Sequence, residues 1–262
     1  MNRIEKKFKE LKKQRKPALI TYICAGDPNL KTTYELVLEL EKNGADIVEL
    51  GVPFSDPIAD GPTIQRAALR SLKNNTSLLD IVNLVGKIRE KSQVPILLMT
   101  YMNPVYQFGL QRLALQAHKS GIDGFIIPDL PPEAGLDIRK VLQKEGVDLV
   151  FLASPLTTGQ RLDLINKYSS GFIYYVSVTG VTGARAGLPE KIGGQARKLH
   201  RQATKPIAVG FGVSNARQIK KLAADFDGII VGSAIVNIIE RNLGKKDLVE
   251  KVGRFVRNLK RG

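Results

Sequence analysis

Eight short runs of apolar residues recur along the chain, separated by longer stretches that are polar or only periodically apolar. A run without alternation is typical of a parallel strand buried on both faces, because a half-exposed strand would alternate. None of these runs is long enough to cross a bilayer as a helix. The eight predicted strands are residues 18–24, 45–51, 95–101, 124–128, 147–153, 171–177, 206–212 and 227–232.

The stretches between the runs predict helices that cover the strands, because their apolar residues recur three and four positions apart. Strand and helix in eightfold alternation favour the α/β class and a single (β/α)8 TIM barrel, with an open doubly wound sheet as the alternative. An extra N-terminal helix and short helices in the loops after the strands are expected as well. No Gly/Ser-rich or Pro-rich linker divides residues 1–262, so one domain is predicted.

The formal net charge of +15 prompts a test for nucleic-acid or membrane binding. Much of the basic excess lies in residues 1–16, where Ile4, Phe8 and Leu11 share one face of a predicted helix. The last residues repeat this amphipathic pattern, and no basic run is interleaved with aromatic residues. Solvated helix faces explain the charge, so neither partner is expected, although a basic scaffold or nucleic-acid-binding protein is a rival interpretation. The apolar positions of the last predicted helix are Leu248, Val252, Phe255, Val256 and Leu259.

The sequence carries no feature of a secreted or membrane protein. Cys24 is the single cysteine, so an internal disulfide is impossible. The N-terminal residues lack the apolar stretch of a signal peptide. The expected location is the cytoplasm, or the plastid stroma if the chain is plastid-encoded.

Glu49 lies inside the second predicted strand, where Ile47, Glu49 and Gly51 share one side. If that side faces the barrel interior, a carboxylate stands in an apolar environment, which raises its pKa and suits it to proton transfer. A structural glutamate paired with an arginine or a backbone donor is the alternative.

The longest interval between predicted strands follows Glu49 directly. Three prolines within residues 53–62 exclude regular structure there, and a helix can begin near Pro62. Since the segment after a barrel strand lies on the catalytic face, Asp56 and Asp60 are expected above the active site. A surface turn rich in Asp and Pro is the alternative.

Glycine turns after the last two predicted strands indicate a phosphate site. Gly210 and Gly212 precede a helix that Ser214 or Asn215 can cap, and Gly232 with Ser233 opens another. Glycine admits an anion close to the backbone, and a helix N-terminus offers free N–H groups. Ordinary tight turns are the alternative. A third glycine-rich loop, residues 177–194, is expected to close over the ligand.

Other chemistries find little support in the sequence. His118 and His200 fall in helical stretches outside the predicted barrel, so neither a histidine triad nor a metal site is expected. No lysine within a predicted strand suggests a Schiff base. Another phosphate-binding barrel enzyme, such as a sugar-phosphate epimerase or an isomerase of histidine or tryptophan synthesis, is the rival enzyme class.

Several motifs, in order and over nearly the whole chain, resemble the tryptophan synthase alpha subunit family. They are ADIVELGVPFSDPIADGPTIQ, YMNPVYQFG, IIPDLPPEA, YYVSVTGVTGARAGLP, VGFGVS and GSAIV. The first motif, with its glutamate and aspartate eleven residues apart around PFSDP, is highly specific. The resemblance implies a (β/α)8 barrel that cleaves indole-3-glycerol phosphate to indole and glyceraldehyde 3-phosphate.

The resemblance also implies roles for individual residues. Tyr174, rather than Tyr175, matches the active-site tyrosine, and Tyr22 stands where many relatives carry Phe. The implied catalytic residues are Glu49, Asp60 and Tyr174; the implied substrate-binding residues are Tyr22, Phe211, Gly183, Gly212, Gly232 and Ser233; the implied partner-facing residues are Pro53, Asp56, Asn103 and Pro131.

The chemistry implied by the family is a retro-aldol cleavage. Glu49 would supply or relay the proton to indole C3 and help deprotonate the side-chain hydroxyl, while Asp60 would stabilise the positive ring nitrogen and take its proton. A beta subunit would receive the indole and join it to serine, in an alpha2-beta2 heterotetramer. No metal or organic cofactor is expected in this chain, and pyridoxal phosphate is expected only in the beta subunit.

Overall fold

The chain folds into a barrel of parallel strands, seen in a computed structural model that describes residues 2–176, 194, 199–210 and 212–261. Within these residues nine strands form one sheet in the order β5-β4-β3-β2-β1-β9-β8-β7-β6. The predicted TIM barrel is confirmed. The strands are β1 Ala18–Cys24, β2 Ile47–Gly51, β3 Ile96–Met99, β4 Gly124–Ile126, β5 Asp148–Val150, β6 Leu152–Ala153, β7 Ile173–Val176, β8 Ile207–Gly210 and β9 Gly228–Val231.

The ninth strand arises because the predicted strand 147–153 is divided in two at Phe151. β5 pairs with β4 and β6 pairs with β7, so the two edges of the sheet are joined by this one residue. The Phe151 N–H donates to Ser169 Oγ at 3.2 Å, while its carbonyl accepts from the Tyr174 N–H at 3.0 Å. The chain therefore closes the barrel here by changing partners, which an apolar run does not reveal.

Helices surround the strands and several begin with a side-chain cap. The Asn29 side chain accepts the Thr32 N–H, and Ser77 and Asp80 form a reciprocal capping box. The helices in the described part of the chain are α1 Arg3–Lys13, α2 Leu30–Lys42, α3 Pro62–Lys73, α4 Leu78–Arg89, α5 Met102–Phe108, α6 Leu110–Ser120, α7 Leu136–Lys144, α8 Gly159–Tyr168, α9 Ala216–Leu222, α10 Ser233–Arg241 and α11 Leu248–Arg261, with a 3-10 turn at Pro132–Ala134.

Strand residues alternate between two apolar layers. One layer packs outward against the helices, and the other fills the barrel, because side chains along a strand point alternately to its two faces. The predicted N-terminal helix α1 closes one end of the barrel, where Phe8 packs on Phe172 with ring centroids 5.6 Å apart. The other end, at the carboxyl ends of the strands, is left for the site. The layer inside the barrel contains Ile20, Ile47, Leu97, Ile126, Val150, Phe172, Ala208 and Ile230.

Buried carboxylates join neighbouring strands at the end that α1 closes. Asp46, just before β2, accepts the Leu19 N–H of β1 at 2.7 Å, and Lys260 of α11 forms an ion pair with it. Asp123, just before β4, accepts the Ile96 N–H of β3 at 2.8 Å. Arg89 and Arg3 bind Asp123 at 2.7 and 3.0 Å. Each acid therefore has both a backbone donor and a cation.

The basic terminal helices bury their apolar faces, as predicted. Leu248, Val252, Val256 and Leu259 of α11 are buried, and Phe255 is partly buried against the core. The predicted placement of the charge on solvated helix faces agrees with this packing. In the part of the chain that the structure describes, none of the helices has both the length and the apolarity that crossing a membrane requires.

Candidate active site

A cavity of about 150 Å³ lies inside the barrel mouth at the carboxyl ends of the strands. Seven residues predicted from the sequence line this cavity together. They meet there because the carboxyl ends of all the parallel strands lie at this end of the barrel. Gly183 and Phe211, and most of the loop 177–194 that was expected to close over ligand, lie outside the described residues. The predicted residues that line the cavity are Tyr22, Glu49, Asp60, Tyr174, Gly212, Gly232 and Ser233.

Glu49 stands at the base of this cavity, inside β2 and between Tyr22 of β1 and Leu97 of β3. Its exposed fraction is 0%, and neither carboxylate oxygen has a hydrogen-bond partner among the described residues. Burial, and secondly the charge of Asp60, raise the pKa of Glu49 to about 8. Glu49 is therefore mostly protonated at neutral pH. The alternative of a structural glutamate held by an arginine or a backbone donor has no support in these contacts.

Asp60 reaches the cavity from the irregular loop between β2 and α3. Helix α3 begins at Pro62, as predicted. The Asp60 N–H donates to the Pro57 carbonyl at 3.0 Å, and Gln65 Nε2 donates to the Asp60 carbonyl at 2.9 Å. Burial raises the pKa of Asp60 to about 6, opposed by a hydrogen bond from Tyr101. Near neutral pH the site therefore holds one ionised and one protonated acid, the arrangement expected of an acid/base pair.

Two tyrosine rings flank Glu49, and glycines on neighbouring strands make room for them. A Cβ at Gly51 would clash with the Tyr22 hydroxyl, and a Cβ at Gly210 would lie 2.9 Å from the Tyr174 ring. Burial raises the pKa of both phenols well above its usual range, and the charges of Glu49 and Asp60 raise it further. Both hydroxyls therefore remain protonated.

The glycine turns follow β8 and β9, the two strands that lie between β7 with Tyr174 and β1 with Tyr22. Gly212 has a φ of +64°, a conformation that favours glycine, and the Asn215 side chain caps α9 by accepting the Gln218 N–H. Gly232 precedes α10, which begins at Ser233. The first N–H groups of a helix lack intrahelical partners and attract anions, so this end of α10 suits a phosphate.

The predicted partner-facing residues lie at the same end of the barrel. Asp56, Asn103 of α5 and Pro131 are exposed, whereas Pro53 is buried within the chain. Sequence reasoning missed three large apolar side chains exposed there. Ile58, Tyr106 and Leu156 are 78%, 74% and 76% exposed, and all follow the carboxyl end of a strand.

Sequence reasoning also missed Tyr101 and much of the apolar lining. Tyr101 follows β3 and contacts Asp60, and its place after a strand was the available signal. His118 and His200 lie on outer helical stretches and are exposed, and one ring nitrogen of each is hydrogen-bonded to a backbone carbonyl. The apolar lining comprises Ile64, Met99, Ile126, Pro128, Leu152, Val176 and Ile230, together with Ala59.

Comparison with known proteins gives a consistent result. The family described as "Tryptophan synthase alpha chain" matches residues 8–262. The tryptophan synthase alpha chain of Citrifermentans bemidjiense is 45% identical over 100% of this chain and 98% of its own length. Tryptophan synthase subunit alpha from Legionella pneumophila superposes with a TM-score of 0.93 at 39% identity, covering 100% of this chain and 98% of that one.

A chain from a structure of the tryptophan synthase a2b2 complex of Pyrococcus furiosus superposes with a TM-score of 0.88 at 39% identity, covering 94% of this chain and 98% of that one. Sequence and fold thus agree over nearly the full length. The chain belongs to the tryptophan synthase alpha chain family.

Proposed function

We propose that this chain cleaves indole-3-glycerol phosphate to indole and glyceraldehyde 3-phosphate, a carbon–carbon lyase reaction. Its family makes it an enzyme of tryptophan synthesis. The observation that supports this reaction best is the buried Glu49, which has no hydrogen-bond partner among the described residues and shares one cavity with Asp60 and the α10 N-terminus. A protonated acid, an ionised acid and an anion site are the groups that the reaction needs.

Proton transfer to indole C3 is the step that Glu49 performs. The bond from C3 to the glycerol side chain breaks only after C3 is protonated, because the neutral ring is a poor leaving group. Glu49 holds its proton at neutral pH and donates it to C3. Its carboxylate then takes the proton of the adjacent hydroxyl, the O–H electrons form the aldehyde, and the electrons of the broken bond return to the ring. Glu49 ends the cycle protonated.

Asp60 stabilises the cationic ring that this protonation creates. Its pKa of about 6 leaves it ionised at neutral pH, and it reaches the cavity from the loop above Glu49. An anion fixed in a buried site favours a positive charge more strongly than water does. Asp60 therefore accepts the indole N–H and holds the ring while its nitrogen is positive.

The remaining residues position the two ends of the substrate. Tyr22 and Tyr174, with the apolar lining, form a wall suited to the flat indole ring. Gly212, Gly232 and Ser233 bind the phosphate, with Gly183 as a further predicted contact, and Phe211 is predicted to line the pocket for the indole ring. Binding at the distant phosphate orients the reacting bond between the acids. Both proton transfers use carboxylates, so a cofactor-free and metal-free reaction in this chain remains the prediction.

The partner proposed for this chain is a tryptophan synthase beta subunit, in an alpha2-beta2 assembly in which the beta subunit holds pyridoxal phosphate. Exposed apolar side chains concentrated on one face are a common mark of a protein interface. Ile58, Tyr106 and Leu156 lie near the cavity mouth, together with the predicted contacts Asp56, Asn103 and Pro131. Indole leaving the cavity would emerge at this face. The cytoplasm, or the stroma of a plastid, remains the predicted compartment.

Indole release from indole-3-glycerol phosphate tests the reaction directly. The purified chain should form indole alone and should do so faster with a tryptophan synthase beta subunit present. Formation of an isomer or epimer instead would place the chain with other phosphate-binding barrel enzymes. Absence of any indole with and without the beta subunit would refute the proposal.

A further inference from the structure

Tyr101 connects the loop that carries Asp60 to the neighbouring strand. It follows β3, is 2% exposed, and its ring lies beside Phe54 with centroids 5.3 Å apart. The Ala59 N–H donates to the Tyr101 oxygen at 3.1 Å, and the Tyr101 hydroxyl donates to Asp60 Oδ2 at 3.1 Å. One side chain therefore contacts this irregular loop near its beginning and at its catalytic end.

The backbone around Tyr101 is itself fixed. The next N–H, of Met102, donates to both oxygens of Asp129 at 3.0 and 3.1 Å, and α5 starts at this residue. Asn103 follows on α5 and is exposed. The hydroxyl thus belongs to a rigid segment of β3 and α5, whereas Asp60 lies on a loop without helix or strand.

We propose that Tyr101 is the positioning residue of Asp60, occupying Oδ2 so that Oδ1 faces the indole N–H. The proposal rests on the function proposed above for the same site. A carboxylate on an irregular loop has several rotamers, and a donor on a rigid strand end selects one of them. The bond from the Ala59 N–H orients the hydroxyl, because its oxygen accepts there and its proton is left for Asp60.

The charge state of Asp60 depends on the same bond. A hydrogen bond donated to the ionised form opposes burial, so it lowers the pKa of Asp60. Burial and the charge of Asp60 raise the pKa of Tyr101, so its hydroxyl stays a donor throughout the working range. Among the described residues, the other titratable groups that interact with Asp60 are Glu49 on β2, Tyr22 and Cys24 on β1, and Tyr174 on β7.

Tyr101→Phe removes the hydroxyl and keeps the ring that packs on Phe54. In ¹³C-carboxyl NMR, the Asp60 resonance, assigned by its loss in Asp60→Asn, should titrate about one pH unit higher in Tyr101→Phe than in the wild-type chain. Tyr34→Phe is the matched control, because Tyr34 lies on the outer helix α2 and its hydroxyl is remote from the site. An Asp60 midpoint that is the same in Tyr101→Phe and wild type would overturn the proposal.

A measurement on the unaltered chain covers the case in which Tyr101→Phe folds poorly. With ¹³Cζ-labelled tyrosine, the Tyr101 resonance should shift with the same midpoint as the Asp60 carboxyl. The absence of any inflection at that midpoint would equally overturn the proposal. Neither titration requires turnover, so both stand even if the chain releases no indole and the proposed reaction fails.

Kinetics then distinguish positioning from a merely structural role. Tyr101→Phe should lower kcat for indole release about tenfold, change KM by less than about twofold, and move the acid limb of the pH profile up by about one unit. A variant that loses activity through instability alone would keep the wild-type pH profile for its folded fraction. Such a profile, with the Asp60 midpoint unmoved, contradicts the positioning role.

Discussion

Buried acids lie at both ends of this barrel, and the two ends treat them differently. At the end closed by α1, Asp46 and Asp123 each accept a backbone N–H and pair with a cation. At the open end, Glu49 has no partner among the described residues, and the hydrogen bond on the Asp60 carboxylate comes from Tyr101. Burial also raises the pKa of Asp123, but a backbone N–H and two arginines oppose that rise. In the described part of the chain Glu49 has no such donor or cation, so its pKa rises to about 8 and it can exchange its proton near neutral pH. The comparison predicts that substitutions of acids at the closed end mainly reduce stability, whereas substitutions of acids at the open end mainly reduce catalysis.

Glu49→Gln tests the open end and has the largest expected effect on activity. Glutamine preserves the shape of the side chain and removes the exchangeable proton, so indole release should fall by about 10²–10⁴-fold while the fold persists. Steady-state assays with indole-3-glycerol phosphate measure the loss, and circular dichroism checks the fold. Turnover near the wild-type rate would show that Glu49 is not the proton-transfer group.

The same variant should be more stable than the wild type at high pH. Since burial raises the pKa of Glu49 to about 8, the folded chain binds this proton more tightly than the unfolded chain does. That contribution to stability is full below the ordinary pKa of 4.5 and is lost as the pH rises to about 8. Urea unfolding should show a gap in favour of Glu49→Gln that widens across this window to a few kcal/mol. A gap independent of pH would mean that the carboxyl is solvated.

Asp60→Asn is expected to have the next largest effect. The amide keeps the shape but cannot supply the negative charge that stabilises the cationic ring, so kcat should fall by about 10²–10³-fold. Single-turnover assays separate this loss from slower product release. A loss below about tenfold would indicate that the main contribution of Asp60 is to order its loop.

Asp123→Ala tests the closed end and should reverse the pattern. Removing the acceptor leaves the Ile96 N–H without its acceptor and the Arg89 guanidinium without its ion-pair partner, so the unfolding free energy should fall by about 3 kcal/mol. Activity per folded molecule should stay within about twofold of wild type, because Asp123 lies at the end of the barrel away from the active site. Asp137→Ala is the control, because Asp137 is exposed on α7 and its ion pair with Lys140 contributes little. A loss of kcat in stable Asp123→Ala protein would break the comparison.

The sequence predicted the strands well because buried parallel strands require continuous apolar runs. The first predicted strand, residues 18–24, coincides with β1. The break at Phe151 was not predictable, because closure of the sheet depends on partners distant in sequence. The acids of the closed end carried a readable signal that was overlooked. An aspartate directly precedes β2, β4 and β9 and opens β5, which indicates a recurring backbone acceptor.

The site was predictable to the extent that it follows from the strands. Glu49 was identified because a carboxylate interrupts an apolar run, and the structure places it inside the barrel as expected. The hydrogen bond from Tyr101 to Asp60 was not predictable, since the loop between β2 and α3 has no periodicity from which its path could be derived. Local patterns therefore identify which residues are unusual, and only the fold shows which of them meet.

The smallest expected effect is the change in the rate of indole release with pH. It is also the most direct test of whether the two acids at the open end differ in protonation state. Activity requires Asp60 ionised and Glu49 protonated, and their pKa values are about 6 and about 8. The profile of kcat/KM should therefore be bell-shaped, with limbs near these values and a tenfold loss for each pH unit beyond them. Because the two acids interact, the two apparent pKa values of the profile are properties of the pair rather than of either acid alone. Asp60→Asn should abolish the acid limb. It should also move the alkaline limb to lower pH, since the charge of Asp60 raises the pKa of Glu49. Asp123→Ala should leave both limbs in place. A flat profile between pH 5 and 9 would mean that the open end does not hold its two acids in different protonation states.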